Sequence, residues 1–367
     1  MHLDQIGKII SMFQFSGECI YMEPYGHGHV NDTYAVYFKH EFSRPVRYIL
    51  QKINHNVFKD PPRMMENISG VTAHIAKKVI EGGGDPLRRT LRIIKTKSGG
   101  NFYLDDDGGY WRVYDFIEDA TSYQQSTPEI FEQSGAAFGR FFRMLSDYPA
   151  ASLHESIPDF HNTRVRFEAF KDAASRNPEG RAEKSRTEID FAMQREADAG
   201  VLSDLLAAGE LPLRVTHNDT KLNNVMIDNK TGEGICVIDL DTVMPGLALY
   251  DFGDSIRFGA STGAEDEPDL SKVSFSLPMF EVFTRGYLSE TGNSLTEREL
   301  SLLPFASKIM TFESGVRFLA DYLSGDVYFK TQRKGHNLDR CRTQFKLVAE
   351  MEREMDSMAK TVEKYFR

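Results

Sequence analysis

The chain has 367 residues, 41% hydrophobic and 27% charged, which excludes a disordered or fibrous protein and is enough sequence for two lobes with separate cores. Lys and Arg number 44 against 54 Asp and Glu, a net charge of -10, and no basic cluster is dense enough to follow a phosphate backbone, so nucleic acid is excluded as a partner. Cys19, Cys236 and Cys341 are too scattered for a metal or redox pair and fit a reducing cytoplasm, while the chain lacks both an export-type start and any apolar run of membrane-spanning length.

Residues from about 20 to 115 read as strands around one helix, and those after about 125 as helices interrupted by short strands. That segregation predicts a small mixed lobe over residues 1–115 and a larger helical lobe over 116–367, with a cleft between them. Tyr25-Gly26-His27-Gly28-His29 is a glycine-bearing turn running into the alternating segment Ala35-Val36-Tyr37-Phe38. Gly26 and Gly28 would let backbone N–H groups approach a nucleotide's phosphates, although two glycines between strands also make a plain hairpin. Arg47 to Ile53 follows as a strand on which a phosphate-pairing Lys is expected. Alternation puts Gln51 and Lys52 on opposite faces, so only one can look into the cleft, and the sequence leaves open which. Glu66, in the amphipathic stretch 64–80, either pairs with Lys52 or belongs to a solvated helix face.

Gly82-Gly83-Gly84 reads as a helix stop rather than a phosphate cradle, and the glycines at 99–100 and 108–109 as turns. Trp111 to Glu118 reads as a strand leaving the sheet where the helical part begins. Tyr114, Phe116 and Ile117 are the hinge candidates there, since a crossing strand offers backbone groups to an adenine edge; Trp111 reads as core. Residues 131–146 form an amphipathic stretch whose Gly135 and Gly139 allow close helix packing. The turn Asp159-Phe160-His161-Asn162-Thr163-Arg164 has no derivable purpose, and residues 171–187 read as exposed and charged.

The chemistry concentrates in His217-Asn218-Asp219-Thr220-Lys221-Leu222-Asn223-Asn224 and in Asp239, which closes the apolar run Gly234 to Ile238. His-x-Asp, an Asn five residues after the Asp, and a second strand-terminal Asp form the layout by which kinase-like enzymes set a carboxylate beside magnesium. Asp219 is the candidate base that orients an attacking hydroxyl and takes its proton. Asn224 and Asp239 offer the hard oxygens that Mg2+ prefers alongside phosphate and water. His217 braces the loop. Asp251-Phe252-Gly253 spells a metal-binding triplet, but Asp239 already holds that position, so Asp251 is structural, a carboxylate at a helix start that caps N–H groups and is placed to brace the catalytic loop.

On His217, Asp219, Asn224 and Asp239, and on Gly246 with Asp251 in the motif that follows, the chain resembles the aminoglycoside phosphotransferase and choline kinase superfamily. This implies an α+β, bilobal, protein-kinase-like fold: a small lobe of antiparallel sheet plus helix and a larger, mainly helical lobe. Glu23 to Gly26 with Gly28 and His29, Tyr48-Ile49-Leu50-Gln51, Arg214 to Asn224, Asp251 to Thr262 and Arg317 to Leu323 look like the bacterial N-acetylhexosamine 1-kinase family. That resemblance implies phosphorylation of the anomeric hydroxyl of GlcNAc or GalNAc with ATP and Mg2+. It further implies that His29, Asp219 and Arg317 touch the sugar, with Asp241 a further candidate. Gln51 departs from the wider superfamily, where Lys or Arg is usual. Arg317 also stands at i,i+4 spacing between Glu313 and Asp321, which would make an ion-pair ladder. The alternatives are a kinase for choline, an amino alcohol or an aminoglycoside, and a non-catalytic kinase fold. No obligate protein partner is expected.

Overall fold

The structure, a computed structural model, describes residues 3–26, 30–39 and 45–366, with side chains from residue 6 onward. A helix unforeseen in the sequence, α1 (Leu3–Ser11), precedes a five-stranded antiparallel sheet in the order β1 (Glu18–Pro24), β2 (Asp32–Lys39), β3 (Val46–Ile53), β5 (Tyr110–Asp115), β4 (Tyr103–Leu104). Helix α2 (Pro61–Glu81) and the short α3 (Pro86–Arg89) lie between β3 and β4 in sequence. The Asp60 carboxylate accepts the Arg63 N–H to open α2, two prolines fill the first turn, and Gly82 ends it with Gly83 at φ +73°, so the glycine run is a helix stop.

Strand alternation sorts the sheet into two faces. Tyr48, Leu50, Trp111 and Val113 pack with Ile6, Ile9, Ile10 and Phe13 of the α1 segment in one apolar cluster. Ile49, Ile53 and Tyr114 face the other way, into a core shared with Met64, Met65, Ile68 and Val71 of α2. That second core continues without a break through the rest of the chain, so α2 is packed as part of the large lobe as much as of the small one. Its buried Asn67 adds polar anchors, donating to the carbonyls of His154 (2.7 Å) and Val243 (3.0 Å).

Past Asp115 the chain leaves this sheet, and β6 (Ala120–Ser122) pairs with β8 (Val225–Asp228), which pairs in turn with β9 (Gly234–Val237). A two-stranded ribbon, β7 (Arg214–Thr216) with β10 (Met244–Gly246), lies beside them. The remainder is helical: α4 (Pro128–Leu145), α5 (Thr163–Arg176), α6 (Arg186–Met193), α7 (Val201–Ala207), α8 (Ala248–Gly259), α9 (Leu277–Thr291), α10 (Glu297–Leu323), α11 (His336–Arg353) and α12 (Met355–Phe366). Helices α4 and α9 meet through glycines. A methyl group at Gly135 or Gly139 would run into the Phe283 and Tyr287 carbonyls, and one at Gly286 into the Glu132 carbonyl. The architecture is a protein-kinase-like fold with an antiparallel-sheet lobe and a mainly helical lobe. Among the described residues no helix is long and apolar enough to cross a membrane.

Candidate active site

The loop between β7 and β8 carries Asp219, and the residues around it are held on all sides. Asp251, in the first turn of α8, accepts the N–H groups of His217 (2.8 Å) and Asn218 (2.7 Å) with its two oxygens. One turn on, Asp254 accepts the Thr220 N–H (3.0 Å) while pairing with Arg257. The Asp251 carboxylate thus holds the loop's amides rather than those of its own helix. Burial pushes its carboxyl up to about 6, against the pull of the two loop amides it accepts. His217 is fully buried against the edges of Phe138 and Phe141 of α4. Its Nε2 must donate to the Ile238 carbonyl (2.9 Å), which leaves Nδ1 to accept the Asp219 N–H (3.3 Å). A neutral imidazole therefore ties the catalytic loop to the residue before Asp239.

Asn218 at φ +63° and Asp239 at φ +60° both adopt left-handed backbone, a conformation that costs free energy and persists only where surroundings impose it. Asp219 is half-buried, its carboxylate within 2.8 Å of Lys221 Nζ and taking a weak bond from Asn224 Nδ2 (3.3 Å). Burial alone would lower the Lys221 ammonium's pKa; the Asp219 charge outweighs this and raises it. Lys221 is a site residue that motif spacing does not single out. Asn224 spends its amide nitrogen on Asp219, whose carbonyl it reaches at 2.8 Å, leaving its oxygen as a ligand.

Asp239 opens to the cleft, and its carboxylate makes no hydrogen bond or ion pair with any described residue. Desolvation by the surrounding protein, then the like charges of Asp241 and Asp219, push it up to about 6. An unpartnered carboxylate between two others fits a divalent cation, which would relieve that repulsion. No group of three His, Cys, Asp or Glu among the described residues could hold a metal alone. That suits Mg2+, which binds through one or two protein oxygens and completes its shell with phosphate and water.

The sheet resolves the alternation of Gln51 and Lys52. Lys52 points toward the α1 face, its Nζ 5.6 Å from the Trp111 ring centroid and near Asp105. Gln51 faces the cleft, in a row across three strands: Thr33, Gln51 and Arg112 are direct register partners. Gln51 Nε2 donates to Thr33 Oγ1 (3.0 Å), and its Oε1 accepts from Arg112 Nε (2.9 Å). Arg112, missed in the sequence, is 1% exposed and pairs through Nη1 with Asp241. Asp241 also takes a bond from Asn31 Nδ2 (2.7 Å), so two small-lobe side chains close on one large-lobe carboxylate. The one signal for it is a lone charge inside the otherwise apolar run Trp111 to Tyr114. Glu66 pairs with His154 rather than Lys52 and belongs to an exposed helix face.

At the crossing, Phe116 packs under the Arg47 guanidinium (3.7 Å to the ring centroid) and edge-on to Tyr25, which brings the Gly26 turn to the hinge. Gly26 is at φ +80°; Gly28 and His29 lie outside the described residues. Tyr114 turns its side chain into the core, where burial raises its phenol pKa and its hydroxyl has no partner. Ile117 is buried, yet neither its N–H nor its C=O bonds to any described residue.

The 159–164 turn now has a purpose. His161 lies within 2.8 Å of Glu313 on α10 through Nδ1 and 3.0 Å of the Asn218 carbonyl through Nε2. Both partners can only accept, so both ring nitrogens donate and the ring is an imidazolium. Burial opposes this charge, but Glu313, aided by Asp254, more than offsets it and raises the His161 pKa. Thr163 Oγ1 completes Glu313 (2.6 Å). The i,i+4 ladder expected of Glu313, Arg317 and Asp321 does not form as a surface feature. Glu313 is fully buried and committed to His161, standing 4.0 Å from Arg317, and Asp321 instead accepts the N–H groups of Val327, Tyr328 and Phe329. Arg317 lies between the Phe160 and Phe329 rings, 5.3 and 5.7 Å from their centroids, and Arg166 is close enough that the two like charges lower the Arg166 pKa, after burial as the main cause.

Residues 22–277 match the phosphotransferase enzyme family. Solved structures of like fold include a microcompartment-associated aminopropanol kinase (15% identity over 98% of this chain and 99% of that one, TM-score 0.59). An aminoglycoside phosphotransferase from Alicyclobacillus acidocaldarius (11%, 98% and 96%, TM-score 0.62) and a choline kinase from Cryptosporidium parvum (17%, 98% and 98%, TM-score 0.54) share it too. With the match spanning well over half its length, this chain belongs to the phosphotransferase enzyme family.

Proposed function

We propose that the chain transfers the γ-phosphoryl group of ATP to the anomeric hydroxyl of an N-acetylhexosamine, GlcNAc or GalNAc. Asp219 orients the hydroxyl and takes its proton as the oxygen attacks, and Lys221 offsets charge beside it. Asn224 and Asp239 would hold Mg2+, which when bound neutralises charge on the phosphates. The adenine would meet the backbone at Ile117. One neighbour of like fold is an amicoumacin kinase in complex with AMP-PNP, in keeping with ATP as donor.

The observation that carries the sugar reading is the character of the flank beside the catalytic loop. There Arg317 lies between Phe160 and Phe329 with Arg166 close by, and of the acids around them Glu313 is spent on His161, Asp321 on backbone amides, and Asp159 accepts from Asn162. Choline, amino alcohols and aminoglycosides are cations, which two arginines would repel. A neutral N-acetyl sugar suits guanidinium donors and aromatic walls. The neighbours named for amino alcohols, choline and aminoglycosides keep a cationic acceptor as the second reading.

Acceptor-dependent ATP consumption across N-acetylhexosamines, plain hexoses, choline, amino alcohols and aminoglycosides tests this, with Arg317→Ala alongside. The N-acetyl sugars should be preferred, and the variant should raise the sugar KM or lower kcat while leaving the KM for ATP nearly unchanged. Preference for a cationic acceptor would sink the sugar assignment.

A further inference from the structure

Gln51 is neutral, Lys52 points to the far face of the sheet, and Arg47, four residues earlier on the Gln51 face, is spent on Glu118, so β3 offers no free cation at the register where the nucleotide's phosphates would lie. The cleft face nevertheless carries one positive charge at the same register. Arg112, directly across from Gln51 on β5, is bound to it through Nε and lies near enough to Asp239 to feel its charge. We propose that Arg112 is the phosphate-binding cation of this site, displaced by one strand, and that Asp241 is the carboxylate that holds it in place.

Three observations converge on this. First, Arg112 is 1% exposed with its guanidinium Nη1 against the Met65 sulfur of α2 (3.8 Å), so its position is fixed by packing rather than by rotamer freedom. A guanidinium ordered in advance loses little entropy on meeting a phosphate. Second, its partner stands two residues beyond Asp239, which places the pair at the edge of the proposed metal site instead of in a remote corner of the lobe. Third, Gln51 acts as a neutral spacer, accepting from Arg112 and donating to Thr33, so one polar row runs from the guanidinium across β3 to β2. Asp241 is then a positioning residue: its contacts with Arg112 and Asn31 leave it serving the nucleotide side of the cleft. Burial alone would weaken the Arg112 charge, but the Asp241 carboxylate outweighs this, so Arg112 is a full cation at any working pH.

This inference rests on the kinase reading, and titration calorimetry separates the two without reference to any acceptor. MgATP, MgADP and adenosine are each titrated into the wild type, Arg112→Lys, Arg112→Met, the double variant Arg112→Met/Asp241→Asn and the double variant Arg112→Met/Gln51→Lys. The Asp241→Asn change removes the carboxylate that Arg112→Met would orphan, which keeps a folded reference, and each variant's melting temperature is recorded.

The expected result is a fall of about tenfold or more in MgATP affinity in both variants lacking a cation in the row, with adenosine affinity little changed. Arg112→Lys should retain most of the MgATP affinity. Gln51→Lys, which returns a cation to the row from the neighbouring strand, should restore it. An unchanged ratio of MgATP to adenosine affinity in Arg112→Met/Asp241→Asn, or an equal loss of both ligands, would show Arg112 to be only a tie between the lobes and overturn the proposal. Failure of the wild type to bind any of the three ligands would instead defeat the kinase reading itself.

Discussion

At the scale of single residues, the site works by dividing labour between charges that are held and charges that are left free. His217, His161, Asp251 and Asp254 are buried and spent on loop backbone; Asp239 is left without a partner among the described residues, and Asp219 is answered by Lys221. Asp219→Asn should cut turnover by about 10²–10⁴-fold while MgATP binding stays near wild type, because the base acts on the acceptor. Steady-state rates beside calorimetric titration check this, and near-normal turnover would remove Asp219 from the mechanism. Asp239→Ala should lose activity and MgATP affinity together, and thorough chelation of divalent metal should silence the wild type.

The buried imidazolium gives a signed pH dependence. His161 has its pKa raised in the folded state, so its contribution to stability is fully present below the unfolded value of about 6.5 and is lost as pH rises through the folded value. The melting temperature of wild type over His161→Gln should therefore be largest near neutral or mildly acidic pH and shrink toward alkaline pH. A gap constant across that range would mean the ring is neutral. Glu313→Ala should be more damaging than Arg317→Ala for the same reason, since it strips a buried cation of its partner.

At the scale of elements, legibility followed the spacing of the residues. The segment 217–224 and Asp239 are close in sequence, and their meeting in one place was readable because one loop and one strand end carry them. The helix stop at Gly82 and the glycine faces of α4 were equally local. Arg112 was not readable: its meaning depends on the register that places Thr33, Gln51 and Arg112 side by side, and no single strand carries that information. His161 and Glu313 lie 152 residues apart, so the polar turn had no visible counterpart. The surface ladder on α10 gave way because periodicity reports which side chains can meet, while burial gave the Glu313 hydrogen bonds to His161 and Thr163 and left Arg317 as a longer 4.0 Å pair. Helix α1 went unread for want of a strong start signal.

The α4 and α9 contact yields a stability prediction remote from the chemistry. Gly139→Ala would press a methyl group against the Tyr287 carbonyl, where backbone cannot yield. Overpacking of this kind costs about 1–3 kcal/mol. Denaturant unfolding should show that loss, with KM values for both substrates unchanged at temperatures where the variant is folded.

At the scale of the whole molecule, the two lobes are bound across the cleft by Asn67 with Val243 and His154, by Arg112 and Asn31 with Asp241, and by Arg88 and Arg89 with Asp228 and Glu233. Helix α2 belongs to the continuous core of the large lobe, so the small lobe is seated by packing as well as by ion pairs. The flank that would meet the acceptor is built by the 159–164 turn and α10, segments that the phosphotransferase loop itself does not contain. In the proposed reading the loop carries the phosphoryl transfer, and this flank would select the acceptor.

The measurement that bears most directly on the proposed reaction is the position of the phosphate on the product, read by phosphorus and proton NMR after wild-type enzyme acts on ATP, Mg2+ and GlcNAc or GalNAc. A sugar 1-kinase gives a phosphate coupled to the anomeric proton, formed with stoichiometric ADP and absent with Asp219→Asn. A phosphate on any other sugar oxygen, or turnover confined to choline, amino alcohols or aminoglycosides, would contradict it.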